Sequence, residues 1–222
     1  MNCLIQARYS SKRLKGKVLK KINKHEILYH VISCLKKAKL VNDIFVLTSK
    51  QDSEIKKFCK INKFRVYQGS LNNTFLRFKN FLLDHNMNYF MRISGDSPLL
   101  DHKIIDKMIS IHKKNKNYDL ITNIFPRTFP KGQSVEILKS STYLNINNKV
   151  LSKEEKEHLT LYYYNNQKKF KILKLKNNKN MSKYNLSVDN LNDFELVRKI
   201  ITSKRAKNLS NLIDFVKRYE KK

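Results

Sequence analysis

Short apolar runs alternate with helical patterning through the first half of the chain, and this alternation limits the fold more than any other feature. Leu4-Ile5, Ile44-Phe45-Val46-Leu47, Phe64-Arg65-Val66-Tyr67, Tyr89-Phe90-Met91-Arg92-Ile93 and Leu120-Ile121 have the length and β-rich character of buried strands. Between them apolar residues recur three and four apart, as in Ile27, Leu28, Val31, Ile32 and Leu35, or Ile104, Ile105, Met108 and Ile109. That spacing gives a helix one apolar face. Strand and helix in repeated alternation predict an α/β architecture, a parallel sheet covered on both faces. Beyond residue 122 the regularity breaks. Residues 134–138 and 170–175 alternate like strands, whereas 152–166 and 193–201 read as helices, which predicts mixed strands added at the edge of the sheet. No Pro- or Gly-rich linker and no internal repeat divides residues 1–222, so a single domain is expected.

A formal charge of +29 makes nucleic acid, anionic membrane and phosphorylated small molecules the partners to weigh. The lysines are scattered along the whole length, in pairs such as Lys20-Lys21, Lys56-Lys57 and Lys113-Lys114, as solvated helix faces are. No helix-turn-helix, zinc or RNA-binding signature is present and the aromatic residues are not grouped as a stacking platform, so no specific nucleic-acid partner is expected. A non-enzymatic polyanion binder is the alternative that the charge alone would support. Cys3, Cys34 and Cys59 are odd in number, far apart and set among apolar residues, which suits buried thiols in a reducing compartment. With no apolar run near membrane-spanning length and a strand starting almost at Met1, the expectation is a cytoplasmic protein without membrane insertion.

Three stretches follow strands directly, at the rim where open α/β sheets bind ligands. The first, QARYSSKRLKGK at residues 6–17, holds five cations and no acid. Arg8, Arg13 and Lys17, with the Ser10 and Ser11 hydroxyls and backbone N–H groups near Gly16, can surround a polyphosphate, although neither a Walker loop nor a dinucleotide fingerprint is present. The second, Ser94-Gly95-Asp96-Ser97-Pro98, and the third, Leu186-Ser187-Val188-Asp189-Asn190, each supply one carboxylate before a predicted helix. Taken singly, Asp96 and Asp189 also suit helix caps. Together with the basic loop they can hold a nucleoside triphosphate and a hard cation such as Mg²⁺, which takes carboxylate, phosphate and water oxygens.

These stretches, read in order, resemble the spore-coat-polysaccharide type of cytidylyltransferase, within the wider group of CMP-sugar synthetases for 3-deoxy-manno-octulosonate and acylneuraminate. The resemblance rests on Gln6-Ala7-Arg8, Ser10-Ser11, Arg13-Leu14, Gly16-Lys17-Val18-Leu19 and Arg92-Ile93-Ser94-Gly95-Asp96-Ser97-Pro98-Leu99. It continues through Pro126-Arg127-Thr128-Phe129-Pro130, Gly132, Val135-Glu136, Glu157-His158, Thr160, Val188-Asp189 and Asp193-Phe194-Glu195. It implies a Rossmann-like, glycosyltransferase-A-like nucleotide-diphospho-sugar transferase fold with a mixed central sheet. The implied reaction is transfer of CMP from CTP to a sugar with release of pyrophosphate, assisted by Mg²⁺, in surface polysaccharide or glycan synthesis. Implied roles place Arg8, Ser10, Ser11, Arg13, Gly16, Lys17 and Arg77 at the nucleotide, Asp96 and Asp189 at the metal, and Arg127, Gln133, Glu136 and His158 at the sugar. Arg8, Lys17 and Asp96 would be the catalytic set, and relatives of this kind admit a homodimer.

Two departures bear on these implications. Lys15 stands where the resemblance predicts a proline, which loosens the loop, and Ser134 stands where an aspartate is common, which removes a carboxylate from the sugar side. A glycosyltransferase of the same fold is the nearest rival, but its usual Asp-x-Asp is reduced here to the single Asp96 of Ser94-Gly95-Asp96.

Overall fold

Side chains of a strand point alternately to the two faces of its sheet, and in this chain both faces are apolar. The computed structural model describes residues 1–11, 13–203 and 209–219 and sets a seven-stranded sheet between two helical layers. The strands are β1 (Asn2–Gln6), β2 (Lys21–Ile22), β3 (His25–Glu26), β4 (Ile44–Ser49), β5 (Arg65–Gly69), β6 (Tyr89–Ser94), β7 (Leu120–Thr122), β8 (Glu136–Lys139) and β9 (Ile172–Lys174). The helices are α1 (Ile27–Lys37), α2 (Ser53–Ile61), α3 (Thr74–Asp84), α4 (His102–Lys114), α5 (Ser140–Asn145), α6 (Lys153–Glu157), α7 (Leu161–Asn165), α8 (Leu191–Thr202) and α9 (Leu209–Tyr219). The sheet order is β5-β4-β1-β6-β8-β7-β9, with β8 antiparallel to both of its neighbours and every other pair parallel. A separate antiparallel ribbon joins β2 to β3.

The alternation divides the interior into two cores. Cys3, Ile5, Val46, Met91 and Ile93 face the layer that contains α1, α2 and α4, while Leu4, Leu47 and Phe90 face α3, α5 and α7. Helix α3 starts where Asn73 accepts a hydrogen bond from the Leu76 N–H at 2.8 Å. It buries Phe75, Phe78 and Phe81 completely. Each such ring contributes roughly 1.5–3 kcal/mol on burial.

Two expectations are corrected. The mixed part of the sheet is not confined to an edge, because β8 inserts between β6 and β7 and only β9 lies outermost. The segment 152–166 is not one helix: a capping box at Ser152 and Glu155 starts α6, the chain leaves helical geometry at His158, and α7 starts anew after Thr160. The break lets Leu159 and Tyr163 enter the core while His158 stays exposed.

Strand β1 sits at the topological switch. The chain moves outward from it through β4 and β5, then returns to its other side with β6, so the loops after β1 and β6 diverge around a crevice. A small apolar cluster of Leu14, Ile22, Ile27, Val188 and Val197 fastens the loop after β1 to the segment entering α8. That contact brings the third candidate stretch to the same crevice.

Candidate active site

The basic loop turns inward at Gly16, whose φ of +68° lies in the left-handed region. Its N–H donates to the Tyr9 carbonyl at 2.8 Å, and a Cβ there would lie 2.9 Å from the Tyr9 ring. Both features favour glycine, and the turn delivers Lys17 to the interior with only 9% of its surface exposed. The Lys17 ammonium donates to Asp96 Oδ2 at 2.6 Å, the Val188 carbonyl at 2.7 Å and Asp189 Oδ1 at 2.9 Å. Its three protons are thereby all used.

Neither aspartate serves as a helix cap. Asp101 caps α4, accepting from the Lys103 N–H at 2.8 Å, and Asn190 with Asp193 forms a capping box on α8. Neither Asp96 nor Asp189 is therefore spent on a helix terminus. Asp96 Oδ1 accepts from the Ser94 and Ser97 hydroxyls at 2.7 and 3.3 Å. Asp189 Oδ1 also meets Arg13 at 3.1 Å, and its Oδ2 accepts from Lys131. Burial pushes the Asp189 pKa up, but hydrogen bonds from Lys131 and Lys17 outweigh it and hold the group at about 2. The carboxylate is ionised at neutral pH.

Beside this cluster opens a cleft of about 370 Å³, lined among others by Arg92, Asp96, Arg127, Lys131, His158 and Tyr164. Glu136 lies beneath its floor, fully buried, and accepts from Arg92 Nη1 at 3.0 Å and from the Tyr164 hydroxyl. Arg92 also donates to Gln6 Oε1 at 2.7 Å. The Arg92 charge is thus balanced by an ion pair. Arg127 is different: it donates to the Ser134 hydroxyl at 3.3 Å, and no ion pair to it is found among the described residues. Burial, opposed by Glu136, lowers its pKa. A half-buried cation without a carboxylate partner makes the cleft suited to an anion.

Lys17, Asp96, Asp189 and Arg13 therefore meet at one point, with Arg127 and His158 on the adjoining cleft. Arg8 is held at the loop by Glu157 at 2.6 Å, Ser10 is exposed and Ser11 partly buried on the same loop. Glu136, placed at the sugar by sequence, is spent beneath the floor on Arg92 and Tyr164, and two further residues placed at ligands by sequence lie behind the site as well. Arg77 is 1% exposed and donates to the Ser70 carbonyl at 3.2 Å and the Thr74 hydroxyl at 3.1 Å, with burial lowering its pKa to about 10. Gln133 is fully buried, accepting from the Asp101 N–H at 2.9 Å and donating to the Leu99 carbonyl at 2.6 Å. Both brace loops rather than face the cleft. Sequence reasoning passed over Arg92, Lys131 and Tyr164 as cleft residues. Arg92 carried a signal, a charge inside an apolar strand; Lys131 and Tyr164, one among many lysines and one of three consecutive tyrosines, carried none.

Among the described residues no group of three or more His, Cys, Asp or Glu side chains gathers as a metal cage. The Asp96–Asp189 pair still fits Mg²⁺, which binds through one or two carboxylates and fills its remaining positions with phosphate and water.

A mixed sheet with a basic loop and paired carboxylates at its switch point defines a nucleotide-diphospho-sugar transferase fold. The chain belongs to the cytidylyltransferase family, whose model, described as Cytidylyltransferase, matches residues 2–221. It is 25% identical over 205 residues to the spore coat polysaccharide biosynthesis protein SpsF of Bacillus subtilis, covering 88% of this chain and 83% of that one. A solved cytidylyltransferase of Leptospira borgpetersenii superposes with a TM-score of 0.88 at 30% identity, covering 99% and 93% of the two chains. The solved CMP:2-keto-3-deoxy-manno-octonic acid synthetase complexed with CTP shares the fold, with a TM-score of 0.73 at 14% identity over 91% and 98%. No helix among the described residues is long and apolar enough to cross a membrane.

Proposed function

We propose that this protein transfers CMP from CTP to a hydroxyl of a small sugar acid, with release of pyrophosphate, in the assembly of a surface glycan. The observation that carries the reading is the convergence of Asp96 and Asp189 on Lys17 beside a cleft whose Arg127 has no ion pair among the described residues. Family membership, the SpsF relative and the CTP-bound fold neighbour support the choice of nucleotide and product.

In this reading Arg8, Arg13 and the N–H groups of the loop take the triphosphate, and Ser10 and Ser11 line the loop. Lys17 stands at its inner end, where it both fixes the carboxylates and presents positive charge to the phosphates. Asp96 and Asp189 would hold Mg²⁺, which would supply neutralisation of charge on the departing pyrophosphate. The sugar occupies the cleft, its carboxylate on Arg127, with Arg92 and Tyr164 held rigid by Glu136. The sugar hydroxyl oxygen bonds to the α-phosphorus as the bond to pyrophosphate breaks; the electron pair leaves with pyrophosphate and the hydroxyl proton passes to solvent. Ser134 offers Arg127 a hydroxyl where an aspartate would pair with it, and so favours a substrate that brings its own carboxylate.

Thermal unfolding with CTP, ATP, GTP and UTP, each with and without Mg²⁺, tests the nucleotide and the metal on the native chain and on Asp96→Ala. At a ligand concentration 100 times Kd, binding adds about 2.7 kcal/mol. For a chain of this size that raises Tm by roughly 5–10 °C. Selective stabilisation by CTP with Mg²⁺, lost in the variant, is the expected result, together with pyrophosphate release when a sugar acid is added. Equal shifts with every polyanion, unchanged in the variant, would refute the reading.

A further inference from the structure

The carboxylate pair presents no free oxygen. Asp96 Oδ1 is occupied by Ser94 and Ser97, Asp96 Oδ2 by Lys17, Asp189 Oδ1 by Lys17 and Arg13, and Asp189 Oδ2 by Lys131. Three cations thus stand around two carboxylates. A divalent ion arriving alone would have to displace an ammonium and would meet a net positive charge.

Lys131 is the least expected of the three cations, and its backbone is held on both sides. Its N–H donates to the Tyr184 carbonyl at 3.0 Å and its carbonyl accepts from Leu186 N–H at 2.8 Å. The adjoining Gly132 has φ +94°, and a Cβ on it would come 2.6 Å from the Leu186 backbone carbon. That close approach clamps residues 130–132 to residues 184–186, three residues before Asp189. The ammonium therefore reaches Asp189 from a fixed origin, although its own side chain remains half exposed. It also lines the cleft, together with Asp96, and so stands beside both the carboxylates and the place where an anionic ligand would lie.

We propose that Lys131 is a positioning residue that, with Lys17, keeps Asp96 and Asp189 assembled and closed to divalent metal until a polyphosphate draws the ammonium groups away, so that metal and nucleotide enter together. A triphosphate offers the lysines an anion of higher charge, and their departure exposes carboxylate oxygens to the metal that the phosphates carry in. This inference rests on the reading of Asp96 and Asp189 as metal ligands given above.

Binding of Mn²⁺ to the full chain, followed by the loss of its free-ion electron paramagnetic resonance signal, tests the inference without relying on turnover. The measurement is made with and without CTP on the native protein, Lys131→Met, Lys131→Arg and Asp189→Asn. The native chain should bind Mn²⁺ weakly alone and strongly with CTP. Lys131→Met should bind Mn²⁺ alone about tenfold more tightly than the native chain, because one cation beside the carboxylate is gone. Lys131→Arg, which keeps the cation, should behave as the native chain does. If the native chain and Lys131→Met bind Mn²⁺ alone with equal affinity while CTP and Asp189→Asn still alter binding, the gate is refuted and the metal reading stands. If neither CTP nor Asp189→Asn alters Mn²⁺ binding, the metal reading fails, and the gate fails with it. Superimposable circular dichroism spectra and cooperative unfolding of the two Lys131 variants separate either outcome from misfolding.

Discussion

Replacing Lys17 with methionine removes the ammonium and keeps most of the stem that packs beneath the loop. In the native chain that ammonium accounts for hydrogen bonds to Asp96 at 2.6 Å, Val188 at 2.7 Å and Asp189 at 2.9 Å in surroundings that leave 9% of the residue exposed. Removing one partner of a buried ion pair costs about 3–5 kcal/mol, because the other charge is left buried and unpaired. Here the cost falls at the low end, about 3 kcal/mol, since Asp189 keeps Lys131 and Arg13 and Asp96 keeps two serine hydroxyls. In a chain of 222 residues that corresponds to a fall in Tm of roughly 6–12 °C. Equilibrium unfolding in urea at pH 7 measures it, read as a lower midpoint at constant slope. The pH dependence gives a second check. Asp189 has its pKa depressed from 3.8 to about 2 by its lysine partners, so its stabilisation is fully present above the unfolded value and is lost as pH falls through the folded one. The native chain's advantage over Lys17→Met should therefore be constant at neutral pH and shrink between about pH 4 and pH 2. A variant as stable as the native chain at pH 7 would show that the three hydrogen bonds only offset the desolvation of the ammonium, and would refute the argument.

Gly132→Ala should destabilise the chain by at least about 2 kcal/mol, because the position has φ +94° and the new Cβ would meet the Leu186 backbone at 2.6 Å; a change below about 0.5 kcal/mol in urea unfolding would contradict the clamp. Glu157→Gln should leave stability within about 0.5 kcal/mol, since its ion pair with Arg8 is half exposed. The same change frees the Arg8 guanidinium, so CTP affinity by calorimetry should rise or stay level, and a marked loss would show that Glu157 orients Arg8 for binding. Burial pushes the Cys34 and Cys59 thiols up to about 12 and raises Cys3 further. All three should resist a thiol reagent at pH 8 in the folded chain and react at once in denaturant, whereas fast native labelling would mean that the core opens.

The strands of the parallel half could be read because their signal is local. Runs such as 44–47 and 89–93 are recorded in consecutive residues, and they became β4 and β6. The later part was less legible for a reason seen in Ser152–Asn166: a strong capping box and five charged or polar helix formers start a helix, while nothing nearby reveals that Leu159 and Tyr163 must turn into a core built by α3 and α5. Arg77 and Gln133 show the same limit at the site. Their side chains have the right chemistry for a ligand, yet the packing around them turns Nη1 and Nη2 of Arg77 and both amide atoms of Gln133 to nearby backbone and hydroxyl groups and leaves Arg77 Nε buried without a partner.

The sequence by itself determined the α/β alternation, the position of the basic loop and the two aspartates, since each depends on neighbours within a few residues. Whether those aspartates cap helices or face a crevice was decided only by the tertiary structure. Lys17 lies 79 residues from Asp96 and 172 from Asp189, and what closes those distances is the sheet order around β1, the apolar contact of Leu14 and Ile22 with Val188 and Val197, and the close approach at Gly132. Such contacts are fixed by packing between distant segments, whose energy no local pattern of residues records.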